Sequence, residues 1–457
     1  MKAWMGSILG LVAATAAFGA EPVDVGVAQR DVTPSYPVRL SGYQARKAES
    51  KGVQQRLRAK GLAIGSDKQG AALLITVDTL GVPATVVEEV AGRLKAKAGL
   101  ARERFAVASS HTHSAPCLTG LAPNIFAMKL PEAEQAAIDR YTKELTDHLE
   151  AVGLDALKDR RPATLAWSQG TVGFAINRRV VKDSRWTGFG EVADGPVDHS
   201  LPMLRAVDAD GKVRAVVVAY ACHCTTLNPA DNLLSGDWAG YAQEEIERDH
   251  PGAIALTLIG CAGDANPRDR TGVAVAQRHG RTLADEVGRL LKGDLKPLAG
   301  PPIGRFKTIP LPFDTLPTRA ELEALTKGKD TAAAYNARTM LDRLDRGESL
   351  PTTVEYPVQT WQFGDDCLIV FLGGEVVVDY AIRLRRELDA GRLWVVAYAN
   401  DVPCYIPSER ILKEGGYEGG GSMVYYGKPT RLAPGVEDRI VAAVRELTPP
   451  QFLSKSK

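Results

Sequence analysis

One pattern constrains this chain more than any other. Short apolar runs with strand character alternate with segments of helical period from residue 23 almost to the end. "VDVGVAQRDVTP" and "AALLITVDTLG" read as strands closed by turn residues. "PATVVEEVAGRLKAKAGL" then places Val86, Val87, Val90 and Leu94 at helical spacing, and "RFAVASSHTHS" returns to a strand. Residues 131 to 152 predict a second helix, with Ile138, Tyr141, Leu145, Leu149 and Val152 on one face. The strand of "GKVRAVVVAYACHC" precedes a helix in "GDWAGYAQEEIERDH", with Asp237 as its expected cap. "AIALTLIGCAGDANP" reads as a strand entering a tight turn, followed by a helix over about 272–291. Alternation of this kind predicts an α/β protein, with mixed sheets flanked by helices.

Residues 292–318 are proline-rich and read as a connection, and a polar helical stretch follows over 319–348. Strands then resume in "DDCLIVFLGGEVVVDY" and "LWVVAYAND". "EGGYEGGGSMVYYG" is expected to be a long functional loop, because glycine lets main chain approach a ligand closely.

The first twenty residues differ in kind. Lys2 precedes an apolar run that closes on small residues around Ala17 and Gly19, the pattern of a cleaved secretory signal. The expectation is therefore an exported protein, periplasmic or secreted, with residues 21–457 forming one domain. No later stretch is apolar and long enough to predict a bilayer span. A net charge of +1 over 457 residues argues against a dedicated nucleic-acid binder. Six cysteines in so long a chain do not make a disulfide scaffold.

Chemistry concentrates in five clusters, each expected at the end of a strand, where open α/β sheets gather ligands. On a strand, residues two apart share a face, so His111 and His113 of "SSHTHSAP" are expected to project together. Such a pair suits a metal, or a metal and a neighbouring base; a buried hydrogen-bonded pair is the plainer alternative. A metal-dependent amidohydrolase barrel also uses an early His-x-His, but His148, His199, His250 and His279 do not supply its later strand-end ligands. In "YACHCTTLN" strand parity sends Cys222 and Cys224 to one side with Tyr220 and His223 to the other. One histidine can therefore join His111, with the thiols packed behind. The remaining clusters are "IGCAGDANPRDR" with Asp264 and Asn266, "FLGGEVVVDY" with Glu375, and "YANDVPCYIPS". A helix-capping role for Glu375 fits its position equally well.

Taken in order, these stretches resemble the neutral (non-lysosomal) ceramidase family of zinc-dependent amidases. "SHTHSAP" is similar to the family's T-H-T-H-S-G-P, and "ACHCTTLN…SGDWAGYA" to A-T-H-P-x-S-M-N…S-D-N-x-G-Y-A. "GGEVVVDYAIRLR" resembles P-G-E-F-T-x-x-x-G-R-R-L-R, and "NDVPCYI" resembles N-x-Y-T-H-Y-I. The resemblance implies one zinc ion per chain, held by His111, His223, Glu375 and Tyr405. It implies a lipid or other small-molecule substrate with an N-acyl bond, opened by a metal-activated water. His113, Tyr405 and Asn266 become the expected catalytic groups, and Arg178, Asp264 and Tyr417 the expected substrate contacts.

Three departures stand out. Asn266 occupies the position of the family serine, and an amide cannot act as a hydroxyl nucleophile. Val402-Pro403-Cys404-Tyr405 replaces Tyr-Thr-His-Tyr. The chain also stops short of the family's immunoglobulin-like domain, so none is expected here. The alternatives are the same metal site acting on another N-acyl amide or an ester, or a non-catalytic binding protein on the same fold.

Overall fold

In the computed structural model, which describes residues 22–454, the central strands are buried at every position because both of their faces are covered. Ala72–Val77, Phe105–Ser109 and Cys367–Leu372 are buried throughout, as expected for strands inside a layered α/β protein. Nine strands make one mixed sheet. Its path runs Ile254–Ile259, Val213–Tyr220, Ser200–Asp208, Arg161–Thr171, Val23–Asp31, Arg58–Ile64, Ala72–Val77 and Phe105–Ser109, and Lys296–Leu298 adds to Arg161–Thr171. The two pairs at the ends of the path are parallel and those between them antiparallel. A second sheet orders Ile303–Pro312, Thr353–Phe363, Cys367–Leu372 and Leu393–Val396, the last pair parallel.

Side-chain alternation shows how the layers stack. Ala106 and Ala108 of Phe105–Ser109 join one apolar cluster, while Phe105 and Val107 join another. The first cluster also holds Leu62, Leu74, Trp167 and Val217 of the large sheet together with Trp361, Phe371 and Trp394 of the small one. It is the sheet-on-sheet core. Helices Glu132–Lys158, Ala84–Ala98, Asp237–Asp249 and Val273–Leu291 cover the large sheet's outer face, and Val436–Leu447 covers the small sheet. At one end the sheets meet through main chain: Ala397 N–H donates to Ile259, and Asn400 N–H to Val107.

The predicted α/β class holds, and open sheets in place of a closed barrel remove the amidohydrolase-barrel fold as an alternative. Three local expectations change. The proline-rich 292–318 stretch carries the ten-residue strand Ile303–Pro312, an edge strand, where a missing N–H costs no ladder bond. The polar stretch over 319–348 splits into Arg319–Leu325 and Thr331–Asp345, each with its own side-chain cap at Thr318 and Asp330. Asp237 begins its helix but does not cap it; Gly236 is the cap residue, and the Asp237 carboxylate accepts from Leu227 N–H at 2.9 Å. The expected signal segment lies outside the described residues. Among those residues, no helix is long and apolar enough to cross a membrane.

Candidate metal centre

The donor groups arrive on loops that leave the carboxyl ends of strands in both sheets. Phe105–Ser109 stops two residues before His111, so the two histidines do not share a strand face. They converge through a turn in which His111 takes φ +53°, Thr112 pairs with Cys224, and the His111 ring stacks on Tyr398 at 4.2 Å. Gly42 passes so close to His113 that a β-carbon there would lie 2.5 Å from its Nδ1. His223 follows Val213–Tyr220 and faces the same pocket, while Cys222 and Cys224 pack into the core with Tyr220, as the parity argument predicts. All six cysteines are free and buried. Glu375 lies on the short strand Glu375–Val376, side by side with Tyr405 in a parallel pair. It caps nothing, since the next helix begins at Asp379. Gly263 allows this approach, because a β-carbon there would lie 2.7 Å from the Glu375 carbonyl oxygen.

Hydrogen bonds define the protonation pattern. His111 Nδ1 lies 2.7 Å from the Leu80 carbonyl, His223 Nδ1 2.7 Å from Ala262, and His113 Nδ1 3.1 Å from Gly42. A carbonyl only accepts, so each Nδ1 carries its proton and each ring turns Nε2 inward, the nitrogen that holds the lone pair in this neutral tautomer. Burial holds the His113 imidazole well below its ordinary range. Burial, then the Arg178 charge, pushes His223 down to about 3. Burial alone would raise the Glu375 carboxyl; positive charge at the His111 and His223 positions draws it well below its ordinary range, and with those rings neutral that charge has to come from a cation among them.

These lone pairs crowd one point. His111 and His113 Nε2 are 3.2 Å apart, and Glu375 Oε2 is 3.1 Å from both His111 and His223 Nε2. Tyr405 Oη is 3.3 Å from His223 Nε2. Unshared electron pairs at such distances in a dry pocket repel unless a cation lies among them. Adjacent vertices of a tetrahedral shell with metal–ligand bonds of about 2.0 Å are ~3.3 Å apart, which these separations match. The ligand atoms of His111, His113 and His223 all lie within 4.8 Å of one another, and this cluster could hold a metal ion. The carbonyl on each Nδ1 is the usual second partner of a metal-bound histidine.

Around the centre lies a charged network. Arg178 donates to Glu418 Oε1 at 2.8 Å, Tyr405 Oη at 3.0 Å and Asn266 Oδ1 at 3.2 Å. Glu418 has no exposed surface and also takes Arg179, which reaches on to Glu414 at 3.0 Å. Because Arg178 only donates, the Asn266 carbonyl turns toward it, which leaves the Asn266 amide N–H groups as the donors of that half-buried side chain. Asp264 differs from its expected role. It is fully buried, with its oxygens taken by Val378 N–H at 2.8 Å and Asn177 Nδ2 at 2.9 Å, so it braces the loop and offers nothing to a ligand. Burial pushes its carboxyl up to about 6. Tyr417 packs edge-on to Tyr405 and to Phe189, both at 5.2 Å, and forms an aromatic wall that reaches solvent at the 54% exposed Phe189.

The structure thus brings His111, His113, His223, Glu375, Tyr405, Arg178, Asn266 and Tyr417 together. Sequence reasoning missed Tyr398, Glu418 and Tyr426. The last two lie inside the glycine cluster singled out as functional, which folds into the short helical turns Gly416–Gly419 and Gly421–Val424.

Fold and pocket define a layered α/β protein with a buried imidazole–carboxylate centre suited to a metal. The profile of the neutral/alkaline non-lysosomal ceramidase N-terminal family matches residues 23–271, and the chain belongs to that family. It is 24% identical over 284 residues to neutral ceramidase of Drosophila melanogaster, covering 57% of this chain and 37% of that one. It is 29% identical over 244 residues to neutral ceramidase of Mycobacterium tuberculosis, covering 50% and 37%. The matched part therefore spans little more than a third of those relatives. The crystal structure of neutral ceramidase from Pseudomonas aeruginosa superposes with a TM-score of 0.68 at 19% identity, covering 96% of this chain and 76% of that one.

Proposed function

We propose that this protein is an exported, zinc-dependent amidohydrolase that cleaves an N-acyl amide of the ceramide type. The observation that carries this reading is the convergence of imidazole Nε2 atoms and one Glu375 oxygen at about tetrahedral spacing. Two imidazoles, a carboxylate and a phenol suit zinc better than the oxygen-seeking cations. His111, His223 and Glu375 would hold the ion, with Tyr405 as the fourth group. When bound there, zinc supplies an acidified water and a Lewis acid for the scissile carbonyl.

The chain's own residues supply the rest. His113, neutral and next to His111, is placed to take a proton and pass it to the leaving amine. Tyr405, whose oxygen accepts from Arg178, can donate its own proton to a developing oxyanion. Arg178 fixes Tyr405 and Asn266 at once, and the free Asn266 amide can donate to the acyl oxygen. Tyr417 and Phe189 offer an apolar wall for an acyl or alkyl chain. The named activity of the relatives, neutral ceramidase, points to the same substrate class.

A second reading keeps the centre and changes the substrate to another N-acyl amide or an ester. Asn266 favours it, because an amide donor in place of a hydroxyl alters how the acyl group is held. The test is metal content of the purified protein, with fatty-acid release from a short-chain fluorescent ceramide, with and without chelator. One zinc per chain and chelator-sensitive release support the first reading. Zinc without release moves the search to other amides and esters, and absence of zinc overturns both.

A further inference from the structure

Glu375 has two oxygens, and the fold treats them differently. Oε2 faces His111 and His223 at 3.1 Å each. Oε1 accepts a hydrogen bond from the Tyr426 hydroxyl. An ionised carboxylate only accepts, so Tyr426 is the donor. Tyr426 is 7% exposed, its ring stands edge-on to Tyr405 at 6.3 Å, and its N–H donates to Met423 at 3.2 Å. The hydroxyl is therefore held in place by packing as well as by its partner.

We propose that Tyr426 is a positioning residue that occupies one oxygen of Glu375 and restricts the carboxylate to binding the metal through the other. The inference rests on the metal reading given above. A carboxylate released from Tyr426 can swing to present both oxygens, since carboxylates bind metals in either mode. The second oxygen would then compete for the coordination position that water and the substrate carbonyl require.

Tyr426→Phe removes only the hydroxyl. The full chain is stripped of metal and titrated with cobalt(II), whose visible absorption falls step by step from four- through five- to six-coordinate sites. Affinity is read in parallel by competition with a chelator. The expected result is a several-fold fall in cobalt absorptivity, with metal affinity changed by about 10- to 100-fold. Tyr425→Phe serves as the control from the same loop, because its hydroxyl donates to Gln44 at 3.2 Å and not to Glu375. It should leave spectrum and affinity unchanged. If Tyr426→Phe fails to fold, Tyr426→His provides a second variant with a polar tip on a shorter side chain, and its spectrum should fall between the two forms. An unaltered cobalt spectrum and affinity in a folded Tyr426→Phe overturns the positioning role alone. A parent protein that binds no cobalt overturns the metal reading itself.

Discussion

The two halves of the pocket are built on different principles. His111, His113 and His223 come from loops of the large sheet, and each ring is aligned by a main-chain carbonyl. Glu375 and Tyr405 lie on the short parallel pair that follows the strands of the small sheet, and side chains align them: Tyr426 on Glu375, Arg178 on Tyr405, and Glu418 on Arg178. No single substitution removes a backbone carbonyl. The hydrogen bonds that align the imidazole half therefore cannot be deleted by trimming a side chain, whereas those of the carboxylate half can be loosened step by step from outside.

The largest effect should come from the imidazole half. His223→Ala should lose the metal and reduce turnover by about a thousandfold or more while the chain stays folded. Metal analysis beside circular dichroism checks it; retained metal would break the comparison at its base. Next, Glu418→Gln leaves Arg178 and Arg179 sharing a neutral partner in a buried place. Breaking a buried ion pair costs about 3–5 kcal/mol, to be read from denaturant unfolding. A loss below about 1 kcal/mol would mean that the carboxylate half does not depend on its side-chain bracing.

A third prediction concerns the junction of the halves. Asp401 accepts from Ala84 N–H at 3.0 Å, and burial pushes its carboxyl up from 3.8 to about 6. Between about pH 4 and pH 6 the folded chain holds a proton there that the unfolded chain has released, so this group's contribution falls as pH rises through that window. Asp401→Asn keeps the acceptor and removes the titration. Parent and variant stabilities should diverge across the window by up to about 3 kcal/mol, with the parent losing ground as pH rises. Parallel curves would show that the Asp401 carboxyl is not raised. The smallest effect belongs to the rim: Phe189→Ala should raise KM for a long-chain substrate by roughly tenfold or less, with kcat kept, since the ring only extends the Tyr417 wall.

The same division explains what could be read from the chain alone. Continuously apolar strands such as "CLIVFL" announce burial on both faces, and parity in "YACHC" assigns His223 to the pocket and its cysteines to the core behind it. His111 and Glu375 were legible because imidazoles and a glycine-flanked carboxylate stand out at strand ends. Tyr405, by contrast, came from resemblance. Tyr426, Glu418 and Tyr398 were illegible because their partners lie 51 or more residues away, and nothing local distinguishes a phenol aimed at a carboxylate from one in a core. Residues 303–312 were misread for a related reason: their prolines suggest a connection, and only the edge position of the strand makes them harmless.

The seam between the sheets has a further consequence, for the order of folding. Asn400 reaches Val107 across 293 residues of chain, through its N–H and through its side-chain oxygen at 3.3 Å. Contacts of such sequence separation form late, because the loop they close must first be organised. The pocket spans that seam, so its donors come together only after both sheets have docked. A metal ion would then act as a latch on a finished molecule, binding the native state and no earlier one, and refolding should be limited by sheet docking whether or not metal is supplied.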